Sequence, residues 1–169
     1  LSTHGGSLRV YGCLLQNTRV VEESVSGVLF DEDKMGMRSL EVYEAFQVKA
    51  DDIKYELLDF LLKQKKEGKS VVGYGAAAKG NTLLNYAGVK PDLLPFVCDA
   101  APSKQNKYIP GNHIPILAPE VLRNMSIDWV IIFPWNIKDE VMKSLGSEYG
   151  VKAKFVVFVP EMSFLNYQL

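Results

Sequence analysis

Two rhythms of apolar residues divide this chain. Before residue 69 they recur at three- and four-residue spacing, and after it they gather into short unbroken runs. Residues 18–33 place Val21, Val25, Val28 and Leu29 on one face and leave Glu22, Glu23, Asp31 and Glu32 for water, which predicts a surface helix. Ser39 is a candidate N-cap for a second helix over 39–67, in which Phe46, Ala50, Ile53, Leu57, Phe60 and Leu61 form a single stripe. Lys63, Lys65 and Lys66 crowd its last turn, where they complement the helix dipole, and Gly68 supplies a left-handed stop. Ahead of both helices, Leu8, Val10, Tyr11, Leu14 and Leu15 suggest a strand at 7–15 cut away from its neighbours. The opening Leu1-Ser-Thr-His-Gly-Gly-Ser7 reads as the interior of a longer protein. Its His4-Gly-Gly stretch fits a ligand loop or, more simply, a flexible glycine turn.

Beyond residue 69, apolar runs at 70–73, 95–98, 129–133 and 153–159 alternate with helical stretches near 80–88, 118–124 and 137–147. That alternation predicts an α/β fold: a doubly wound, mainly parallel sheet of about four strands, with the long helix among its covers. The expected strand order, counted from residue 70, is 2-1-3-4. The strand remnant and the two helices would precede this sheet.

With 169 residues and 47% of them apolar, the chain has room for one domain, or for one domain with an appendage. A formal net charge of -1 gives no electrostatic case for nucleic acid, and no run approaches a membrane span. Cys13 and Cys98 stand far apart and fit a reducing, cytoplasmic setting. With only His4 and His113, a histidine metal centre is not expected, and no Ser/His/Asp or Cys/His pair is recognisable.

The candidate chemistry centres on residues 70–82. Gly73, Gly75 and Ala78 fit G-x-G-x-x-(G/A), in which small residues permit a tight turn and let backbone approach a phosphate at a helix N-terminus. On pattern alone, a glycine turn closing a strand–helix unit with no ligand fits equally well. Lys79 and Asn81 add a cation and an amide at the helix mouth, and Asp99 ends the next run 24 residues beyond Gly75, near the spacing for a ribose contact. An ATPase-type phosphate loop is ruled out, because Asn81 stands where its lysine must be. Two connections at the same predicted sheet edge are rich in polar and ring residues: 100–115, with Lys104, Tyr108 and His113, and Pro134-Trp135-Asn136. Trp135 fits either stacking on a base or packing on a helix, and His113 either a ligand bond or a bond to its own loop. One glycine fingerprint and four strands fit one nucleotide better than NAD, so a nucleoside diphosphate conjugate is the expected guest.

These motifs, Gly73-Tyr-Gly-Ala-Ala-Ala-Lys-Gly-Asn-Thr-Leu-Leu-Asn-Tyr86, Lys104-Gln105, Tyr108-Ile-Pro-Gly-Asn-His-Ile-Pro-Ile116 and Pro134-Trp-Asn136, resemble the C-terminal domain of the S-adenosylmethionine-dependent sugar C-methyltransferases. His4-Gly-Gly-Ser-Leu-Arg9 is similar to the segment that closes their central domain, so the resemblance covers nearly the whole chain. It implies a Rossmann-like domain that holds a keto-deoxysugar on a nucleoside diphosphate, often thymidine diphosphate, while the upstream methyltransferase domain of the same polypeptide transfers the methyl. It also implies a tail of that upstream domain at 1–16, a helical lead-in at 17–68 and the nucleotide-sugar-binding domain at 69–169. The expected substrate contacts are Gly73, Gly75, Ala76, Lys79, Asn81, Asp99, Lys104, Tyr108, His113, Trp135 and Asn136. Catalytic groups, zinc ligands and the S-adenosylmethionine site would lie upstream, leaving no cofactor or metal expected here and the isolated fragment inactive. Ala77 departs from the proline frequent in relatives, which should stiffen the loop less. The alternative reading is a non-catalytic Rossmann-like module for NAD or another adenine nucleotide, and a third is a docking domain with a vacant cleft.

Overall fold

The computed structural model describes residues 1, 7–17 and 19–165; the His4-Gly-Gly loop lies outside the described residues. The chain forms two compact units, Leu1–Asp51 and Asp52–Leu169.

In the first unit the strand expected at 7–15 does not form. Residues 7–14 carry no regular structure, because a strand needs a ladder partner and none is offered among the described residues. Helix α1 (Glu23–Lys34) starts later than the periodicity suggests and buries none of its residues. Arg38 pairs with Asp33 at 2.7 Å, and the Tyr43 hydroxyl donates to the Met37 carbonyl at 2.7 Å across the turn that follows. Ser39 stands directly before α2 (Leu40–Lys66), as an N-cap residue should, with its hydroxyl on the Glu41 carboxylate. That bond is the first cause of a carboxyl held below the ordinary range at Glu41.

The second unit is built on a seven-stranded sheet in the order β3-β4-β2-β1-β5-β6-β7. Its middle, β2 (Val97–Cys98), β1 (Val71–Tyr74), β5 (Trp129–Ile132) and β6 (Lys154–Val157), is parallel and follows the expected 2-1-3-4 order. The count of four was too low. β4 (Pro115–Leu117) joins β2 in parallel, while β3 (Lys107–Tyr108) and β7 (Ser163–Leu165) close the two edges antiparallel. β3 and β7 are two and three residues long and mix polar with apolar side chains, so they leave no apolar run to recognise, while β4 is apolar but only three residues long and opens on a proline, which reads as a loop.

Side-chain alternation along the central strands feeds two separate cores. Val71, Ile131 and Val156 point to the face covered by α2, through Leu57, Phe60 and Leu61, and by α3 (Ala78–Tyr86), through Leu84. Val72, Val130, Ile132, Phe155 and Val157 point to the opposite face, covered by α4 (Lys138–Ser147) through Val141, Met142 and Leu145. The helical stretch expected at 118–124 is a 3-10 helix, Pro119–Asn124, whose Leu122 joins that second core. Proline opens it and Met125 is already extended, so only six residues wind. No helix among the described residues is long and apolar enough to cross a membrane.

Candidate functional site

Because β1, β2, β5 and β6 run the same way, the segments that leave their carboxyl ends share one edge of the sheet. There the chain turns from β1 into α3. Gly75 has φ +95, and a Cβ on it would stand 2.4 Å from Cδ of Pro134. Only glycine permits both that backbone angle and that approach. Gly73 is equally confined, since its Cβ would meet Phe133 Cε2 at 2.7 Å and Val97 Cγ2 at 2.8 Å. The Gly75 N–H donates to the Cys98 carbonyl at 2.7 Å and the Phe133 N–H to the Tyr74 carbonyl at 3.0 Å, which locks the turn between its two neighbours. Ala76, half-buried, packs on the core under α2 and α3.

Helix α3 starts bare. Ala77 occupies its N-cap position and has no side-chain oxygen to offer, and the first turn contains no acidic residue. Asn81 is the first residue whose N–H finds a helical carbonyl, that of Ala77 at 3.0 Å; the amides of Ala78, Lys79 and Gly80 have no acceptor among the described residues. The Lys79 ammonium, from the same first turn, donates to Asn136 Oδ1 at 2.8 Å and lies 4.8 Å from the centre of the Trp135 ring. Both partners are neutral. None of the ion pairs among the described residues includes Lys79. Free amides, the positive end of the helix dipole and a cation without a counter-ion all favour an anion at this mouth.

Asp99 follows β2 at the same edge, buried, with its carboxylate already engaged. Oδ1 accepts the Ala101 N–H at 2.9 Å and Oδ2 the Lys104 ammonium at 3.0 Å, while Gln105 donates to the Asp99 carbonyl at 3.0 Å. Asp99 thus organises the first turns of the 100–115 connection and fixes Lys104 near the edge. Asn81 turns elsewhere: its Oδ1 accepts from Asn85 Nδ2 at 2.7 Å, and the same nitrogen reaches the Pro110 carbonyl at 2.9 Å. Tyr108 and His113 sit on the β3–β4 hairpin. Tyr108 pairs with Pro115, the first residue of β4, so both lie toward the amino edge of the sheet, away from Lys79. His113 has φ +61 and gives its own N–H to the Ile109 carbonyl at 3.1 Å. The structure therefore brings together Gly75, Ala76, Lys79, Trp135 and Asn136, with Asp99 and Lys104 at the neighbouring strand end, and sets Tyr108 and His113 apart.

Neither Cys98 nor Tyr74 is armed as a nucleophile. Burial, with the Glu120 carboxylate nearby, pushes the Cys98 thiol up to about 12, and burial, then Tyr149 and Asp99, pushes the Tyr74 phenol up to about 12. Both stay protonated at neutral pH. Among the described residues, no three His, Cys, Asp or Glu side chains are grouped to hold a metal.

The model of one protein family, the C-methyltransferase C-terminal domain, matches residues 2–160. The chain belongs to that family. It is also similar to the C-methyltransferase NovU of Streptomyces niveus, with 28% identity over 158 residues, covering 94% of this chain and 38% of that protein. This C-methyltransferase C-terminal domain thus spans well under half the length of the relative it matches.

Three residues that shape this turn were not among the expected contacts, although Gly80 and Pro134 stand in the motifs themselves. Phe133 and Pro134 are the surfaces against which Gly73, Gly75 and Gly80 are fitted; a Cβ on Gly80 would stand 2.8 Å from Phe133 Cβ. Gly80 itself carried a signal, as a glycine inside a helix that is costly unless something packs on it. Phe133 ended an apolar run and Pro134 opened a motif, but their packing on the glycines was not legible, because only the fold shows which run lies beside β1.

Proposed function

We propose that the carboxyl edge of this sheet, from Gly75 to Asn81 with Asp99, Lys104, Trp135 and Asn136, binds the diphosphate of a nucleoside-diphosphate sugar. In this reading the domain is Rossmann-like and is the substrate-holding part of a longer, S-adenosylmethionine-dependent sugar C-methyltransferase. Residues 69–169 form the binding region, 17–68 a lead-in and 1–16 the tail of the upstream domain. The observation that carries the reading is the bare start of α3, where among the described residues the first three amides have no acceptor and Lys79, in the same turn, has no carboxylate partner. Family membership and the name of the relative support a C-methyltransferase parent. The sugar, and thymidine diphosphate as its carrier, rest on the motif resemblance. Two free thiols fit a cytoplasmic parent.

When bound in the parent, S-adenosylmethionine supplies the methyl group. Its sulfonium is a poor guest for this edge, because the Lys79 ammonium would repel it. The residues of this chain bind and orient the substrate instead. They hold the diphosphate at a fixed point, so that the carbon beside the sugar ketone is presented to the donor and to a base on the upstream domain.

Calorimetric titration of the 169-residue chain with thymidine, thymidine diphosphate, NAD and S-adenosylmethionine tests this. Thymidine diphosphate should bind, thymidine at least about a hundredfold more weakly, and S-adenosylmethionine not at all, since each charge-assisted bond to phosphate is worth roughly 1.5–3 kcal/mol. Tighter binding of NAD than of thymidine diphosphate would favour the adenine-nucleotide module, and no binding at all would favour a vacant docking cleft.

A further inference from the structure

The first unit is the opposite of a folded core. Every large apolar side chain described between Leu8 and Val48 is exposed, and no described residue of 1–51 is buried. On α1, Val25, Val28 and Leu29 form a stripe at i, i+3 and i+4 that stays exposed, and on α2 Val42 and Phe46 are exposed as well. The contrast within α2 is sharp. Phe46 is 70% exposed, while Leu57 and Leu61, further along the same stripe, are fully covered. A helix of twelve residues with no buried face is marginal in water, and so many exposed apolar side chains exceed what a free surface normally carries. The extent matches the roughly 20–30 residues that one side of a stable interface uses.

We infer that α1 and the first half of α2, with the apolar residues of 8–21, form a docking surface for the part of a longer polypeptide that precedes residue 1. The inference rests on the reading that this domain closes a C-methyltransferase. The chain covers 38% of its relative, and the family is a C-terminal domain, so the remaining length falls on the amino side. The exposed apolar residues begin at Leu8, a few residues from that junction. A partner joined there by a few residues acts at an effective concentration no separate protein reaches, so even a modest apolar face is covered permanently. A second copy of this chain has no such advantage.

Hydrogen exchange, followed by mass spectrometry on the 169-residue chain and on the longer polypeptide, tests the inference. Amides of 23–34 and 40–48 should exchange at least about a hundredfold more slowly in the longer polypeptide, with β1 and β5 unchanged. Val28→Glu with Phe46→Glu should restore fast exchange there without altering thymidine diphosphate affinity. Equal exchange in both proteins would overturn the inference, as would protection of the 169-residue chain that rises with its own concentration, the signature of a second copy. Because nucleotide is titrated separately, loss of nucleotide binding with protection intact would sink only the proposed ligand.

Discussion

Strand β1 ends in a lysine-bearing turn at each edge of the sheet, and the two lysines are treated differently. At the amino edge Lys69 meets Asp128 at 3.1 Å, and the same carboxylate accepts the Ser70 N–H at 2.8 Å and the Ser70 hydroxyl at 3.0 Å. Those bonds, the Ser70 amide first, hold the Asp128 carboxyl below its ordinary value. At the carboxyl edge Lys79 has a neutral amide and a ring, and the first three amides of α3 have no acceptor among the described residues. Lys69 is neutralised by a carboxylate, and Lys79 has none among the described residues. The difference separates a charge paired within the fold from the one that the proposed reading assigns to a guest, a distinction that counting lysines would not make.

The largest way to break the contrast is Gly75→Ala. A methyl group pressed into Pro134, at a backbone angle side chains rarely adopt, should cost about 3 kcal/mol of stability through overpacking and strain together, seen as a clear fall in the urea midpoint. A fully stable variant would mean that the turn and the β5 loop move independently. Next comes Lys79→Ala. It should weaken thymidine diphosphate binding tenfold or more, from a loss of roughly 1.5–3 kcal/mol, while leaving thermal stability unchanged or slightly raised, since a cation in the first turn of a helix opposes the dipole. Lys69→Ala, its counterpart at the amino edge, should leave nucleotide affinity unchanged.

The smallest effect is the acid response of Asp128. Its folded pKa lies below the ordinary 3.8, so its contribution to stability is complete above that value and disappears as pH falls through the lowered one. Asp128→Asn should therefore be less stable than the parent chain at neutral pH and converge with it under acid, in urea unfolding followed across pH. A gap that stays constant into acid would remove the ionised carboxylate from the account of the amino edge.

Much of this was legible in the sequence where a residue's own chemistry fixes its neighbours. The four central runs, their order and the glycine turn follow from apolar continuity and from backbone angles that only glycine adopts. Asn81 shows the limit: its amide was expected at the ligand mouth, yet Asn85, one helical turn on, engages it toward Pro110. Tyr108 and His113 were grouped with Asp99 because they follow it in one connection. The unrecognised hairpin β3–β4 carries them back along the sheet. The apolar stretch at 7–15 read as a strand because β-propensity speaks of side chains, whereas a strand exists only when another backbone takes its hydrogen bonds.

Amide NMR with thymidine diphosphate titrated into the 15N-labelled chain tests the central claim most directly. The account predicts that the N–H signals of Ala78, Lys79 and Gly80 move most, as amides without acceptors gain one, while the Ser70 N–H, already held by Asp128, stays in place. Shifts centred on Ser70 and the amino edge, or saturating binding with the three helix amides unmoved, would contradict it.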